Sequence, residues 1–196
     1  MTSVEDKCRS KLAKMFNRLP DSGLLPNTNN GRGYISGRPD DEIVLSGGRI
    51  LFIEAKGDSG SAYLGDPNQP TQTECKKLGK SYDATGWHTH QRNWWKDFAK
   101  PLKSDYYIAL LVSPERDATR IDYKEAGMFL VPPEAWLALE EKLAGRKTVA
   151  LNPSLERILA NKTVTLESEW GLYRLDYENG QYRIPEYHPL HSILIH

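Results

Sequence analysis

Two acids and a lysine sit close together in this sequence in a pattern that a plain hydrophobic core does not call for. They lie in Gly37-Arg38-Pro39-Asp40 and, after a hairpin-like stretch, in Glu54-Ala55-Lys56. Glu54 and Lys56 are two apart on an apolar strand, so their side chains leave one face of a sheet about 7 Å apart, and Phe52 shares that face. Burying either charge unpaired is costly, so a charged pair at the end of such a strand needs a purpose. Two carboxylates offer oxygen ligands to Mg2+, which retains waters in its octahedral shell, and the Ala55 carbonyl can add a third protein oxygen. A bound ion polarises a phosphate, activates a water and offsets charge on the leaving oxygen. A lysine partners the attacking water or the developing phosphorane charge. The chemistry these residue types support is metal-assisted phosphodiester hydrolysis.

The first acid depends on a turn. Glu42 to Leu45 and Arg49 to Ile53 are β-runs separated by Ser46-Gly47-Gly48, a hairpin pattern with glycines suited to positive φ. If Ser46-Gly47-Gly48 is a three-residue loop closed by Leu45 and Arg49, Asp40 faces Glu54. If Gly47-Gly48 alone turns the chain, Asp41 faces Glu54 instead. The residues leave both registers open.

The elements that must position this group follow from periodicity. Val4, Cys8, Leu12, Met15, Phe16 and Leu19 recur at three- and four-residue steps, which predicts an amphipathic helix ending before Pro20. Residues 20 to 38, rich in Gly, Asn and Pro, form a loop. Residues 57 to 86 form a long excursion, which a compact domain keeps for a reason such as substrate contact. Gln91, Trp94, Trp95 and Phe98 fall on one face of a helix over 89–100, with Thr89 as its N-cap. Tyr106 to Ser113 has the apolar run of a central strand, Gly127 to Val131 is a second strand, and Pro133 to Leu143 is a helix with proline in its first turn. Short strands are expected at Thr163 to Leu166, Gly171 to Tyr177 and Tyr182 to Ile184, the last two joined by a turn at Glu178-Asn179-Gly180. The fold class is α/β, a mixed central sheet flanked by helices with a β-rich C-terminal extension.

With these elements in order, the sequence resembles the PD-(D/E)xK nuclease superfamily, and within it the VRR-NUC and Holliday-junction resolvase-like nucleases. The match lies in Pro39-Asp40 and Glu54-Ala55-Lys56, supported by Glu5 opening the first helix, Gln91 on the next, and the strand from Tyr106. It covers residues 4 to 143 and says nothing of 148 to 196. The excursion from Gly57 to Gly86 is longer than in compact members of the superfamily.

The resemblance implies a restriction-endonuclease-like fold, with Asp40 and Glu54 as metal ligands and Lys56 acting on the water. It also implies that Gln91 steadies the site and that Glu5 contributes through an outer-shell water. It favours Asp40 over Asp41, and hence the three-residue loop. The implied activity is Mg2+-dependent cleavage of DNA by a structure-specific endonuclease of phage or mobile-element type, with Mn2+ able to substitute. A sequence-specific restriction endonuclease and a catalytically silent DNA-binding module with the same fold are the rival readings.

Composition bounds the remainder. At 196 residues and 39% hydrophobic content the chain fits one globular domain over 1–196, with a core at 4–143 and the segment 148–196 packed on it. The absence of an eighteen-residue apolar run and of a signal-like start predicts a cytoplasmic protein without membrane contact. Cys8 and Cys75 are ordinary thiols, since no CxxC spacing occurs.

Net charge is zero, which disfavours a nucleic-acid binder. Between Glu74 and Lys103, however, seven Lys/Arg face three acids, while Glu167 to Tyr187 is acidic. Arg38, Lys76, Lys77, Lys80, His88 and Arg92 are the candidate DNA contacts. His88 and His90 form an isolated His-x-His near a helix start, too sparse for a metal site and read as surface residues. A homodimer is expected on the ground that cutting both strands requires two sites.

Overall fold

The computed structural model describes residues 3–16, 23–24, 38–45, 48–59, 62–63, 70, 72–80, 86–115, 117–142, 148–149 and 174–194. Its elements in chain order are α1 (Val4–Phe16), β1 (Gly23–Leu24), β2 (Asp41–Val44), β3 (Ile50–Ser59), β4 (Ala62–Tyr63), α2 (Gln72–Lys77) and α3 (Thr89–Trp94). After α3 the chain runs straight into a π-helical turn, Trp95–Ala99. There follow β5 (Asp105–Ser113), β6 (Gly127–Val131), α4 (Pro133–Lys142), β7 (Thr148–Val149), β8 (Asp176–Glu178), β9 (Gln181–Arg183) and α5 (His191–Leu194). The main sheet has the order β1-β2-β3-β5-β6. It is mixed: β2 and β6 are antiparallel to their neighbours, whereas β3 and β5 are parallel along nine residue pairs, from Leu51–Asp105 to Ser59–Ser113. A parallel pair needs a crossover, and the excursion with α3 supplies it.

Alternation along the central strands divides the interior into two layers. Tyr106, Ile108, Leu110 and Val112 of β5 point to the α3 face, where they meet Trp87, Trp95, Phe129 and Trp136. Tyr107, Ala109 and Leu111 point to the opposite face, against Cys8, Leu12, Met15 and Phe16 of α1. β5 is buried on both faces from Tyr106 onward, as its unbroken apolar run requires. The helix at 89–100 departs from its expected face at one position. Lys100 N–H bonds Trp95 O at 2.9 Å and Ser104 N–H bonds Ala99 O at 3.0 Å, five residues apart. The extra residue per turn moves Ala99 into the buried position and leaves Phe98 53% exposed, stacked on Trp94 instead of in the core. The N-cap is His88, one residue earlier than expected.

The C-terminal segment is more than an appendage. Leu175 N–H bonds Met128 O at 2.8 Å at the free edge of β6, and Leu175, Tyr182 and Leu190 enter the α1-side core. The core therefore extends past 143. β8 and β9 pair through a two-residue turn, Asn179-Gly180, both at positive φ (51° and 83°), within the turn expected at Glu178-Asn179-Gly180; Glu178 itself belongs to β8 and pairs with Gln181. Lys11 of α1 points over the Tyr123 ring at 3.8 Å and bonds Gly180 O at 3.4 Å, so helix and hairpin are tied together. The strand expected at Thr163 to Leu166 lies outside the described residues, as does most of 60–71. Of the loop expected at 20–38, Gly23–Leu24 instead forms an edge strand against Ile43 and Val44, and 20–22 and 25–37 lie outside the described residues.

His188 fastens this segment and makes it sensitive to acid. Its Nδ1 accepts from Leu190 N–H at 3.0 Å, so the ring proton sits on Nε2, 3.1 Å from Leu130 O. Burial pushes the imidazole down to about 4; the Leu130 carbonyl opposes this and His191 adds to it. A folded value below the unfolded value means that the unfolded chain binds the proton more readily between the two. Stability from this group is full above about pH 6.5 and is lost as pH falls towards 4, on the order of 2–3 kcal/mol. Urea titrations at pH 7 and pH 4.5 check this: the wild type should lose more stability than His188→Gln between the two values. Equal losses would remove His188 from the acid response.

Candidate active site

The hairpin register decides between the two acids. Asp41 pairs with Ile53 and Val44 with Ile50, and Leu45 N–H bonds Arg49 O at 2.8 Å. This is the three-residue loop, with Gly48 at φ +78°, and it sets Asp40 opposite Glu54. Alternation then sends the two acids to opposite faces. Asp41 is buried on the α1 side, where Arg9 grips it through Nη2–Oδ1 at 2.9 Å and Nε–Oδ2 at 3.2 Å. Asp40 accepts the Ala55 N–H on Oδ2 at 2.9 Å, just beyond the last β2–β3 pair. A strand residue sends its N–H and C=O to the same edge, so the Ala55 carbonyl faces this acid too.

Glu54 is the hub. Its Oε1 receives Lys56 Nζ at 2.8 Å and the Gln91 Nε2–H, and both charged groups are almost fully buried. Gln91 is oriented unambiguously. Its Oε1 accepts the His88 N–H at 2.8 Å, which leaves the amide NH2 to point at Glu54. Phe52, on the same face as Glu54, packs against Trp94 at 5.0 Å, so α3 is seated along this row by Gln91 and Trp94 together.

Burial raises the Glu54 pKa well above the carboxylate range; Lys56 opposes the rise and Asp40 beside it adds to it. Burial pulls Lys56 down, but Glu54, Asp40 and Glu5 outweigh it and the net shift is upward. Glu5, half-buried at the start of α1, is raised mainly by burial, with Lys56 opposing. The structure thus brings Asp40, Glu54, Lys56, Gln91 and Glu5 to one place.

Does this donor set suit a divalent cation? Among the described residues no three His, Cys, Asp or Glu side chains converge as a metal cluster. What converges is two carboxylates and a backbone carbonyl, the sparse oxygen set that suits Mg2+ because that ion keeps several waters. Glu54 Oε2 is buried and accepts no hydrogen bond from the described residues. Asp40, Glu54 and Glu5 also outnumber Lys56 there, so the site carries an excess of acid, one carboxyl buried and two half-buried, that a cation would offset. The residues fit the ion.

Two features of the site carry little signal in the sequence. Gly57 lies against the first turn of α1, close to the backbone of Val4 and Glu5. Arg9, one turn beyond Glu5, also bonds Asp40 O at 3.2 Å and so holds both members of the Asp40-Asp41 pair. The helical spacing from Glu5 is the only hint of it. Arg9→Leu should cost about 2 kcal/mol by leaving the buried Asp41 carboxylate unpaired, and the loss should shrink in an Asp41→Asn background. A double-mutant cycle by urea denaturation measures the coupling, and additive losses would show that the pair does not act as a clamp.

The candidate DNA contacts divide. Lys76, Lys77 and Lys80 are exposed. Arg38 is half-buried and paired with Glu42 at 2.5 Å. Two expectations are corrected. Arg92 is buried, forks onto Glu140 at 2.5 and 2.8 Å and bonds Trp87 O at 2.7 Å, which leaves no face for a phosphate. His88 is 2% exposed at the N-cap of α3. Arg92 lies on the helix flank that meets Trp87 and Glu140 of α4, a side that local sequence does not identify.

The chain matches no protein-family model, no curated protein and no solved structure. Among the described residues no helix is long and apolar enough to cross a membrane.

Proposed function

We propose that this chain is a divalent-metal-dependent DNA endonuclease with a restriction-endonuclease-like fold, acting on branched or otherwise structured DNA. The observation that carries the reading is the hub at Glu54, a buried carboxylate gripped by Lys56 and Gln91 on one oxygen and open on the other, with Asp40 set opposite by the hairpin. Asp40, Glu54 and the Ala55 carbonyl would hold Mg2+, which when bound supplies an acidified water and positive charge at the phosphate. The Ala55 N–H aims Asp40, and Gln91 aims Glu54. Lys56 brings a cation, fixed by its ion pair, to the place where negative charge grows during attack on phosphorus. The preference for structured DNA rests on the sequence resemblance, as do the partner, DNA, and the homodimer that paired strand cuts require.

The test is cleavage of a labelled four-way junction, its linear duplex arms and single strands, with EDTA, Mg2+ or Mn2+ present. Metal-dependent nicking that favours the junction supports the reading. Cuts at defined sequences in linear duplex would select a restriction enzyme, and binding without cleavage would select the silent module.

A further inference from the structure

We propose that His90 is a phosphate-binding residue at the rim of this site, donating an imidazole N–H to a non-bridging oxygen of the DNA backbone; this rests on the nuclease reading above. Glu54 and Lys56 form the buried floor, while Asp40, Glu5 and His90 are half-buried. His90 stands on the first turn of α3. Gln91, on the same turn, bonds Glu54, and Glu54 bonds Lys56, so the turn that carries His90 is seated against these two residues. Its ring stacks nearly parallel on buried His88, with centroids 5.8 Å apart and planes at 11°. The charge of Lys56 acts on the ring across the site, and burial with that charge lowers its pKa.

The surrounding groups give the reason for the assignment. Asp40 and Glu5 are acids and repel a phosphate that no cation bridges. Arg38 and Arg9 nearby are committed to Glu42 and Asp41. His90 makes no hydrogen bond or ion pair with any described residue, and a neutral imidazole always keeps one N–H to donate. Of the two residues in the His-x-His motif, the buried one builds the helix start and the half-exposed one is left for a ligand.

The experiment measures binding of a labelled four-way junction in Ca2+, and cleavage in Mg2+, for the wild type, His90→Ala and His90→Gln. His90→Ala should weaken binding about tenfold with an unchanged melting temperature, and His90→Gln, whose amide restores an N–H donor, should return to within about threefold. Affinity of His90→Ala within about twofold of the wild type overturns the assignment, whether or not the wild type cleaves. So does loss without recovery in His90→Gln, which would mark a packing role, and so does a wild type that binds no DNA. A wild type that binds but never cuts sinks the nuclease reading, and the binding ratios still decide His90.

Discussion

Lys56→Met should lower Mg2+-dependent DNA cleavage by about a thousandfold while leaving a folded protein. The magnitude is that of removing one group aligned with developing charge in a dry site, about 10²–10⁴ in rate. The fold should survive because of Glu54. Breaking a buried ion pair costs about 3–5 kcal/mol when the partner must stay charged, but burial already drives Glu54 towards its neutral form. With the ammonium gone it can take a proton and keep its bond to Gln91, and methionine fills the space of the lysine stem. Circular dichroism and urea titration check folding, and single-turnover cleavage checks the rate. A Lys56→Met protein that cuts within about tenfold of the wild type would remove the lysine from the chemistry. Chelation should abolish cleavage in the wild type, and Mg2+ or Mn2+ should restore it.

Gly57→Ala should be the most damaging small substitution near the site. Gly57 is on β3 just past Lys56, and its backbone is in a region open to any residue, so the constraint is purely steric. A Cβ there would lie 2.3 Å from Glu5 N, 2.4 Å from the Val4 carbonyl carbon and 2.8 Å from the Glu5 Cα. All three are backbone atoms, so no side chain can turn aside, and either the strand or the first turn of α1 must move. Overpacking typically costs about 1–3 kcal/mol, and a backbone clash belongs at the upper end. For a chain of this size that corresponds to a melting temperature lower by roughly 6–12 °C. Activity should fall further than stability requires, because α1 carries Glu5 to the site and Arg9 to the Asp40-Asp41 pair. A thermal melt within about 2 °C of the wild type would show that the helix start yields freely.

What was legible in the sequence follows from local rules. Period two on an apolar strand put Glu54, Lys56 and Phe52 on one face, and they are on one face. A run of apolar residues from Tyr106 predicted the doubly buried β5, and the stripe through Cys8, Leu12, Met15 and Phe16 predicted α1. The position of Gln91 on a helix was legible in the same way, since spacing alone records which side of an element a residue occupies.

Spacing does not record what that side meets. Asp40 and Asp41 are adjacent and chemically alike. Only the closed loop from Leu45 to Arg49, with the Ala55 N–H on one acid and Arg9 on the other, separates the acid set opposite Glu54 from the one turned to α1. Arg92 and His88 looked like surface groups because charge usually marks the surface, and only the folded chain, with Arg92 held between Trp87 and Glu140, shows them to be interior. The π-turn moved Phe98 outward by adding one residue to a helix that an ideal repeat would have kept in phase. Gly57 is plain in the sequence, yet its meaning is the nearness of a helix more than fifty residues away along the chain. The sequence by itself determined faces and elements, which depend on residues a few positions apart. The tertiary structure decided register, burial of charge and close approach, because each of these is a contact between segments that the chain brings together only on folding.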